Sequence, residues 1–325
     1  MTSIDRRHLV LSVAALTALA ASRAASAQSA LGKPVRIVVP YGVGGGADFA
    51  ARLIGQKLTD TAGIKVIIDN KPGASGIVGS DHVAKSPPDG SVLLFCDSTH
   101  SLNTAVNPKT PYDPVKDFRP LTLIGSSPQL LVAHPSFAAN SLKELLAMPR
   151  EMSKNLAIGS SGLGGAPHMT YELLHLKSGL TLVHVPYKGG GPALTDAVSG
   201  QIPLVVNSVP ACMPHIVNKK LKPLAIASPQ RDPRLPDVQT FAESVPGLVV
   251  YNFYGVLAPA RTPTDVAEPL TQAIVRVLDL PEVKERFAEA FLDSMPRGEK
   301  AFAAFLANDL ALWKIVAVQT GAVVE

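Results

Sequence analysis

Cysteine and tryptophan are almost missing from this chain of 325 residues, which has 2 Cys and 1 Trp. Two thiols exclude a disulfide framework and permit one bridge at most. Cys96 and Cys212 stand in apolar surroundings, so free buried thiols are expected. Aromatic residues amount to 5% and charged residues to 17%, the latter well below the roughly 25% of an average soluble protein. No run of Lys or Arg exceeds the pair Lys219-Lys220. Nucleic-acid binding draws its affinity from basic surface, so no nucleic-acid partner is expected. Even the formal charge of +4 is partly a property of the N-terminus, because Arg6, Arg7 and Arg23 against Asp5 leave +2 beyond residue 27.

Apolar sequence is what the chain has in quantity, at 46%, enough for a large core and too much for disorder as the main state. At roughly 100 to 200 residues per domain, the length favours two domains. Two lobes imply a cleft between them.

Residues 1–27 read as an export signal. Arg6-Arg7 precede an apolar stretch from Leu9 to Ala21, and Ala25-Ser26-Ala27 fits small-x-small cleavage before Gln28. The stretch is short of the roughly 20 residues of a membrane-spanning helix, and no later segment is expected to be long and apolar enough. The adjacent arginines also resemble a twin-arginine signal, although Asp5 replaces the usual Ser or Thr, so both general and twin-arginine export stay open. The expectation is a soluble chain in the periplasm.

From Val35 onward, short apolar strands alternate with amphipathic helical stretches, the pattern of parallel sheets with crossover helices. Expected strands include Val35–Val39, Lys65–Ile68, Val92–Phe95, Leu121–Ile124, Leu130–Ala133, Leu156–Ile158, Leu182–Val185, Leu204–Val206, Leu224–Ala227 and Tyr251–Ala258. Helical stripes run over Asp48–Leu58 and Glu299–Val318. Strands Leu130–Ala133 and Tyr251–Ala258 are followed by His134-Pro135 and Pro259-Ala260 and look like two crossings between lobes. Lobe one is then discontinuous, 28–130 plus 251–325, with lobe two at 131–250. Two crossing strands make a natural hinge.

Ile37 to Asp48 is a strand, a glycine-rich turn and a helix start. Glycine lets backbone approach a ligand closely, and the unpaired N–H groups of a helix N-terminus attract anions. A carboxylate is the natural guest. Asp48 is equally suited to capping that helix. Ile158 to His168 repeats the device and opens a helix over Ala166–Ser178 in the other lobe. Facing each other, two such N-termini grip both ends of a dicarboxylate, or one carboxylate plus a polar group, without an arginine. Each alone is an ordinary βα turn.

Other chemistries share these residues. Gly42, Gly44 and Ala47 with Asp69 fit a dinucleotide fingerprint, against which stand Pro40 at the strand end, the negative charge of Asp48 and export from the cytoplasm. Asp97-Ser98-Thr99-His100 holds the residue types of a hydrolytic triad, but neighbours on one loop cannot align, and no G-x-S-x-G elbow exists. His168, Glu172 and His175 share a helix face, but H-E-x-x-H is absent, so a solvated or capping role is expected. His100, His134, His184 and His215 read as structural. No cofactor or metal is expected.

Pro40-Tyr41-Gly42-Val43-Gly44-Gly45-Gly46-Ala47-Asp48 resembles the P-F-x-P-G-G-x-T-D signature of the Bug-type, TctC-like substrate-binding proteins of tripartite tricarboxylate transporters. Asn70-Lys71-Pro72-Gly73-Ala74-Ser75-Gly76, Pro88-Asp89-Gly90, Val185-Pro186-Tyr187-Lys188-Gly189, Pro192-Ala193 and Asp196 with Gly200-Gln201 resemble its later signatures, in the same order. The resemblance implies a two-lobed, periplasmic-binding-protein-like fold of type II, two α/β domains joined by two hinge strands, closing on a small carboxylate. It further implies a membrane permease as partner, no catalysis, and a receptor acting as a monomer. Carried over, Tyr41, Asp48 and the amides near Gly45, Gly46 and Ala47 serve from lobe one, and Ser161, Gly164, Gly165 and His168 from lobe two. Ser98 and Thr99 reach the distal end of the ligand; Tyr187 and Asn207 line the floor. Val43 replaces a proline, Ala47 a hydroxyl residue and Ser75 a glycine, while Gly165 stands where Ser or Thr is frequent. Backbone amides then remain the main anion donors. The competing expectation is an exported enzyme, dinucleotide-dependent or hydrolytic, built on the Gly42–Ala47 loop.

Overall fold

The computed structural model describes residues 33–43, 46–187 and 189–322; residues 1–27, expected from the sequence to be an export signal, and Gly44, Gly45 and Lys188 lie outside them. The chain runs β1 (Val35–Val39), α1 (Gly46–Ala62), β2 (Val66–Asn70), α2 (Ile77–Ala84), β3 (Val92–Asp97) and α3 (Thr99–Val106) before a long β4 (Phe118–Ala133). Next come α4 (Leu142–Leu146), α5 (Arg150–Ser153), β5 (Ala157–Ser160), α6 (Ala166–Ser178), β6 (Val183–Pro186) and α7 (Gly190–Val198). They lead to β7 (Leu204–Ser208), α8 (Val209–Val217), β8 (Lys222–Ile226) and α9 (Phe241–Ser244). The last elements are β9 (Tyr251–Pro259), α10 (Thr264–Asp279), α11 (Pro281–Glu289), β10 (Asp293–Arg297) and α12 (Glu299–Thr320).

Strand order is β2-β1-β3-β9-β4-β7-β5-β6, with β8 and β10 also on β4. β1 is parallel to β2 and β3, and β5 to β6 and β7. β4 and β9 run antiparallel, so the sheet is mixed where the alternating pattern suggests parallel pairing alone. One 16-residue strand, β4, replaces the two expected at Leu121–Ile124 and Leu130–Ala133. Gly125 to Pro128 reads as a break, but Pro128 falls where partners change: β10 pairs as far as Ser126 and β7 begins at Gln129. A proline there interrupts no ladder on that edge. The chain passes between half-sheets within β4 and returns at Val250, whose N–H donates to Ala227 O at 2.9 Å and whose carbonyl accepts from Gln129 N at 3.2 Å.

Each half-sheet is buried by its own helices. Ile37, Phe95 and Ile54 anchor one core around β1, β3 and α1, and Leu131, Met169 and Val206 anchor the other around β4, β7 and α6. Runs such as Val35–Val39, buried at all positions but Arg36, are what a covered parallel strand requires. Cys96 and Cys212 are buried and free. The final helix, α12, enters both halves: Phe302 and Leu306 pack with Val38, Leu94 and Phe253, whereas Trp313, Val316 and Ala317 pack with Leu131 and Met169. With 22 residues and a mean hydropathy of 1.6, α12 is long and apolar enough to span a membrane, contrary to the expectation for segments after the signal. The cores account for one of its faces, while Leu312, Ile315 and Val318 stay exposed.

At the midpoint of α12, Asp309 accepts from Ser101 Oγ of α3 and from Trp313 Nε1 at 3.0 Å. Burial lifts this carboxyl to about 6 against the pull of both hydrogen bonds. An unfolded aspartate titrates near ~4, so between these values the folded chain holds a proton that the unfolded chain has released. Stability therefore falls as pH rises through that window. Asp309→Asn keeps Oδ1 as the acceptor for Trp313 and turns its amide N–H to Ser101 Oγ, which then accepts while donating to Ser98 O. It is expected to stabilise the protein at neutral pH by on the order of 2 kcal/mol, a gain that vanishes in urea titrations at about pH 3.5.

Candidate functional site

β1, β3, β5, β6 and β7 each hand over to a helix at the carboxyl edge of the sheet, which is where open α/β sheets bind ligands. The first turns or caps of α1, α3, α6, α7 and α8 border one cleft of about 210 Å³, through Gly46, Ala47 and Asp48; Thr99; Ala166 and Pro167; Gly190; and Asn207 and Ser208. A helix N-terminus presents unpaired N–H groups and roughly half a positive charge. At α3, α6, α7 and α8, the N-cap residue makes no side-chain hydrogen bond to the first turn. Those amides are left to a ligand, except that Pro167, Pro192 and Pro210 have no N–H and Thr99 N donates to Asp97 Oδ1 at 2.9 Å.

Side chains fix the frame of the cleft. Tyr41 donates its hydroxyl to Asp97. Burial, with the Asp97 charge second, raises the Tyr41 phenol well above its ordinary value, and burial raises the Asp97 carboxyl against its hydrogen bonds. Asp48 pairs with Arg52 at 3.0 Å and accepts from Asn70 Nδ2 at 3.0 Å. Asn70 Nδ2 also reaches Tyr41 O at 3.1 Å, so this cluster locks the first glycine loop to the start of α1. Across the cleft, Asn207 donates to Gly190 O at 3.2 Å and accepts from Ser208 N at 2.9 Å.

Of the residues expected at the site, Tyr41, Gly46, Ala47, Asp48, Thr99, Ser161 and Asn207 line this one cleft. Tyr187 lines a neighbouring cavity of about 800 Å³, which shares Tyr41 and Ser161 with the cleft. Its hydroxyl donates to Asp196 at 2.8 Å, and burial plus that carboxylate pushes the phenol up to about 12. Gly45 lies outside the described residues. Ser98, Gly164, Gly165 and His168 stand behind the cleft instead of lining it. The Ser98 hydroxyl joins Tyr251 O at 3.2 Å and Phe253 N at 2.9 Å, tying α3 to β9. Gly164 has φ +72°, and a Cβ there would meet Val106 Cγ2 at 2.6 Å; Gly165 is the N-cap of α6.

His168 is 5% exposed and braces the second loop from behind. Its Nδ1 accepts from Gly164 N at 3.1 Å, and its Nε2 lies 3.2 Å from Glu172. The ring stacks on His184 at 4.2 Å, and His184 Nε2 is 2.7 Å from Ser160 Oγ, which accepts from Gly162 N at 3.3 Å. His175 turns to Leu180 O at 2.9 Å. His100 is buried with Nε2 3.1 Å from Pro114 O, away from Ser98. Asp69 is paired with Arg36 at 3.1 Å.

Asp97, Gln129, Asn252 and Tyr254 also line the cleft and escaped the sequence reading. Gln129 carried little signal, because it follows Ser126, Ser127 and Pro128 at the head of the apolar run Leu130–Ala133. Asn252 and Tyr254 alternate along β9 and reach the site only because β9 pairs with β3 and β4.

Burial, then the neighbouring His168, lowers His184 to about 4. Unfolded histidine titrates near ~6.5, so between these values the unfolded chain binds a proton that the folded chain refuses. Stability is lost as pH falls through that interval. A His184→Gln variant is expected to lose less stability than the parent between about pH 7 and pH 4, measured by thermal unfolding.

A family model described as tripartite tricarboxylate transporter family receptor matches residues 50–321. The chain belongs to this family. The receptor is 32% identical to BugT of Bordetella pertussis over 300 residues, 91% of this chain and 92% of that one. An R. palustris protein solved with adipate superposes with a TM-score of 0.84 at 31% identity, covering 89% of the receptor and 98% of its own chain. MatC from Rhodopseudomonas palustris, solved with bound malate, gives 0.80 at 31% identity, with coverage of 88% and 99%. The receptor shares the two-lobed α/β fold of these periplasmic binding proteins.

Proposed function

We propose that this receptor captures a small carboxylate between its lobes and delivers it, chemically unchanged, to the membrane permease of a tripartite transporter. One observation carries the reading: helix N-termini from both halves border a single cleft, and among its described lining residues there is no Lys, Arg or His. Amides and helix dipoles supply the anion stabilisation that arginine supplies elsewhere. The ligand carboxylate meets the amides of Gly46 and Ala47 on one side and Ser161 with the start of α6 on the other. Tyr41, Thr99 and Asn207 complete the wall, while Ser98, Gly164, Gly165 and His168 hold the loops in place. The R. palustris structures hold adipate and malate, which supports the same ligand class here.

The lobes, 28–130 with 251–325 and 131–250, close about β4 and β9, and a ligand touching both binds the closed form best. Permease recognition of that form couples capture to delivery. The signal at residues 1–27 places the mature monomer in the periplasm, starting at Gln28.

Thermal unfolding against a panel of mono- and dicarboxylates tests this, since a ligand at a hundredfold excess over its Kd stabilises by about 2.7 kcal/mol. A Cβ at Gly46 would meet Tyr254 Oη at 2.5 Å. Gly46→Val is therefore expected to abolish the shift for every carboxylate while the unliganded protein still unfolds cooperatively. Stabilisation by nicotinamide dinucleotides, with none by carboxylates, overturns the reading in favour of an enzyme.

A further inference from the structure

Away from the helix N-termini, the cleft is floored by strand, with Gln129 of β4 and Asn252 and Tyr254 of β9. Gln129 is 1% exposed, yet its Oε1 has no hydrogen-bond partner. Ser127 Oγ is in the same condition and, two residues away on a strand, belongs to the same face. The register sets Gln129 opposite Ser208 and Ser127 opposite Asn252, both residues of the cleft wall. A buried acceptor without a donor is costly, and beside a cleft it marks a place where an incoming donor is met.

Among the described lining residues of the cleft, the charged side chains are Asp48 and Asp97. Asp97 is paired in register with Tyr254 and so borders the same floor. It is held by the Tyr41 hydroxyl and Thr99 N, neither of them a cation. Asp48 also lines the cleft, and its ion pair is with Arg52. A second ligand carboxylate placed here would face like charge at low dielectric. A donor would face acceptors.

Building on the carboxylate-receptor reading, we propose that the floor selects the second group of the ligand. A hydrogen-bond donor, ammonium or hydroxyl, is received by Gln129 Oε1. The preferred ligand is thus an amino or hydroxy monocarboxylate in preference to a plain dicarboxylate.

Titration calorimetry on the mature receptor compares butyrate, succinate, 4-aminobutyrate and 4-hydroxybutyrate, together with the six-carbon set of hexanoate, adipate, 6-aminohexanoate and 6-hydroxyhexanoate. In at least one set, a donor-bearing compound is expected to bind about tenfold tighter than both plain acids, the worth of one charge-assisted hydrogen bond. Gln129→Met, close in shape, removes that advantage, so that on the variant the donor-bearing compound binds no tighter than the plain monocarboxylate of its set. Asp97→Asn tightens the plain dicarboxylate. The proposal falls if the dicarboxylate matches or beats the donor compounds, or if Gln129→Met weakens all compounds of a set alike. Binding by none of the eight overturns the carboxylate reading itself along with this one.

Discussion

On the proposed reading, anion binding without a cationic side chain depends on main-chain N–H groups being held still, and that rigidity would come from parallel strands feeding helices at a common edge. β1 and β3 in one half, and β5, β6 and β7 in the other, all end at the cleft. The donors are therefore part of the scaffold and not ornaments on it. Such a site tolerates side-chain drift in its loops. Val43, which replaces a proline of the family signature, is 74% exposed at the loop tip, and Ala47 in place of a hydroxyl still offers its amide.

Two carboxylates inside an anion site look contradictory until their partners are counted. Asp48 sits in the first turn of α1 and shares Arg52 and Asn70; Asp97 accepts at the start of α3. Both draw on the same helix-terminal potential that a ligand would use. They also set a limit on how much further negative charge the cleft can accept. The histidine brace holds the second loop from behind, with His168 Nδ1 accepting from Gly164 N.

Much of this was legible in the sequence, for identifiable reasons. The helix over Ala166–Ser178 has an apolar stripe, a glycine before it and Gly179 after it, and its bounds were read to the residue. Both glycine loops were placed at strand ends, and the family resemblance carried over Tyr41, Gly46, Ala47, Ser161 and Asn207, which line the cleft. Harder to read were features set by distant pairing. Continuity of β4 through Pro128 depends on where β10 stops and β7 starts. The floor residues Asn252 and Tyr254 arrive from more than 100 residues away in the chain through the β9 register. Ser98 and His168 have the chemistry of ligand contacts, but nearer backbone groups claim them first, and direction is what a residue string does not encode.

In the closure proposed for this receptor the two halves move against each other, and α12 ties them together beside the chain's one indole. Trp313 packs with Leu131 and Met169 of one half, bonded to Asp309 in a helix whose earlier turns are seated on Phe253 of the other. Any rotation of the halves shears that joint. The molecule thus carries its own fluorophore at the mechanical seam, and opening and shutting can be followed by intrinsic emission without a label.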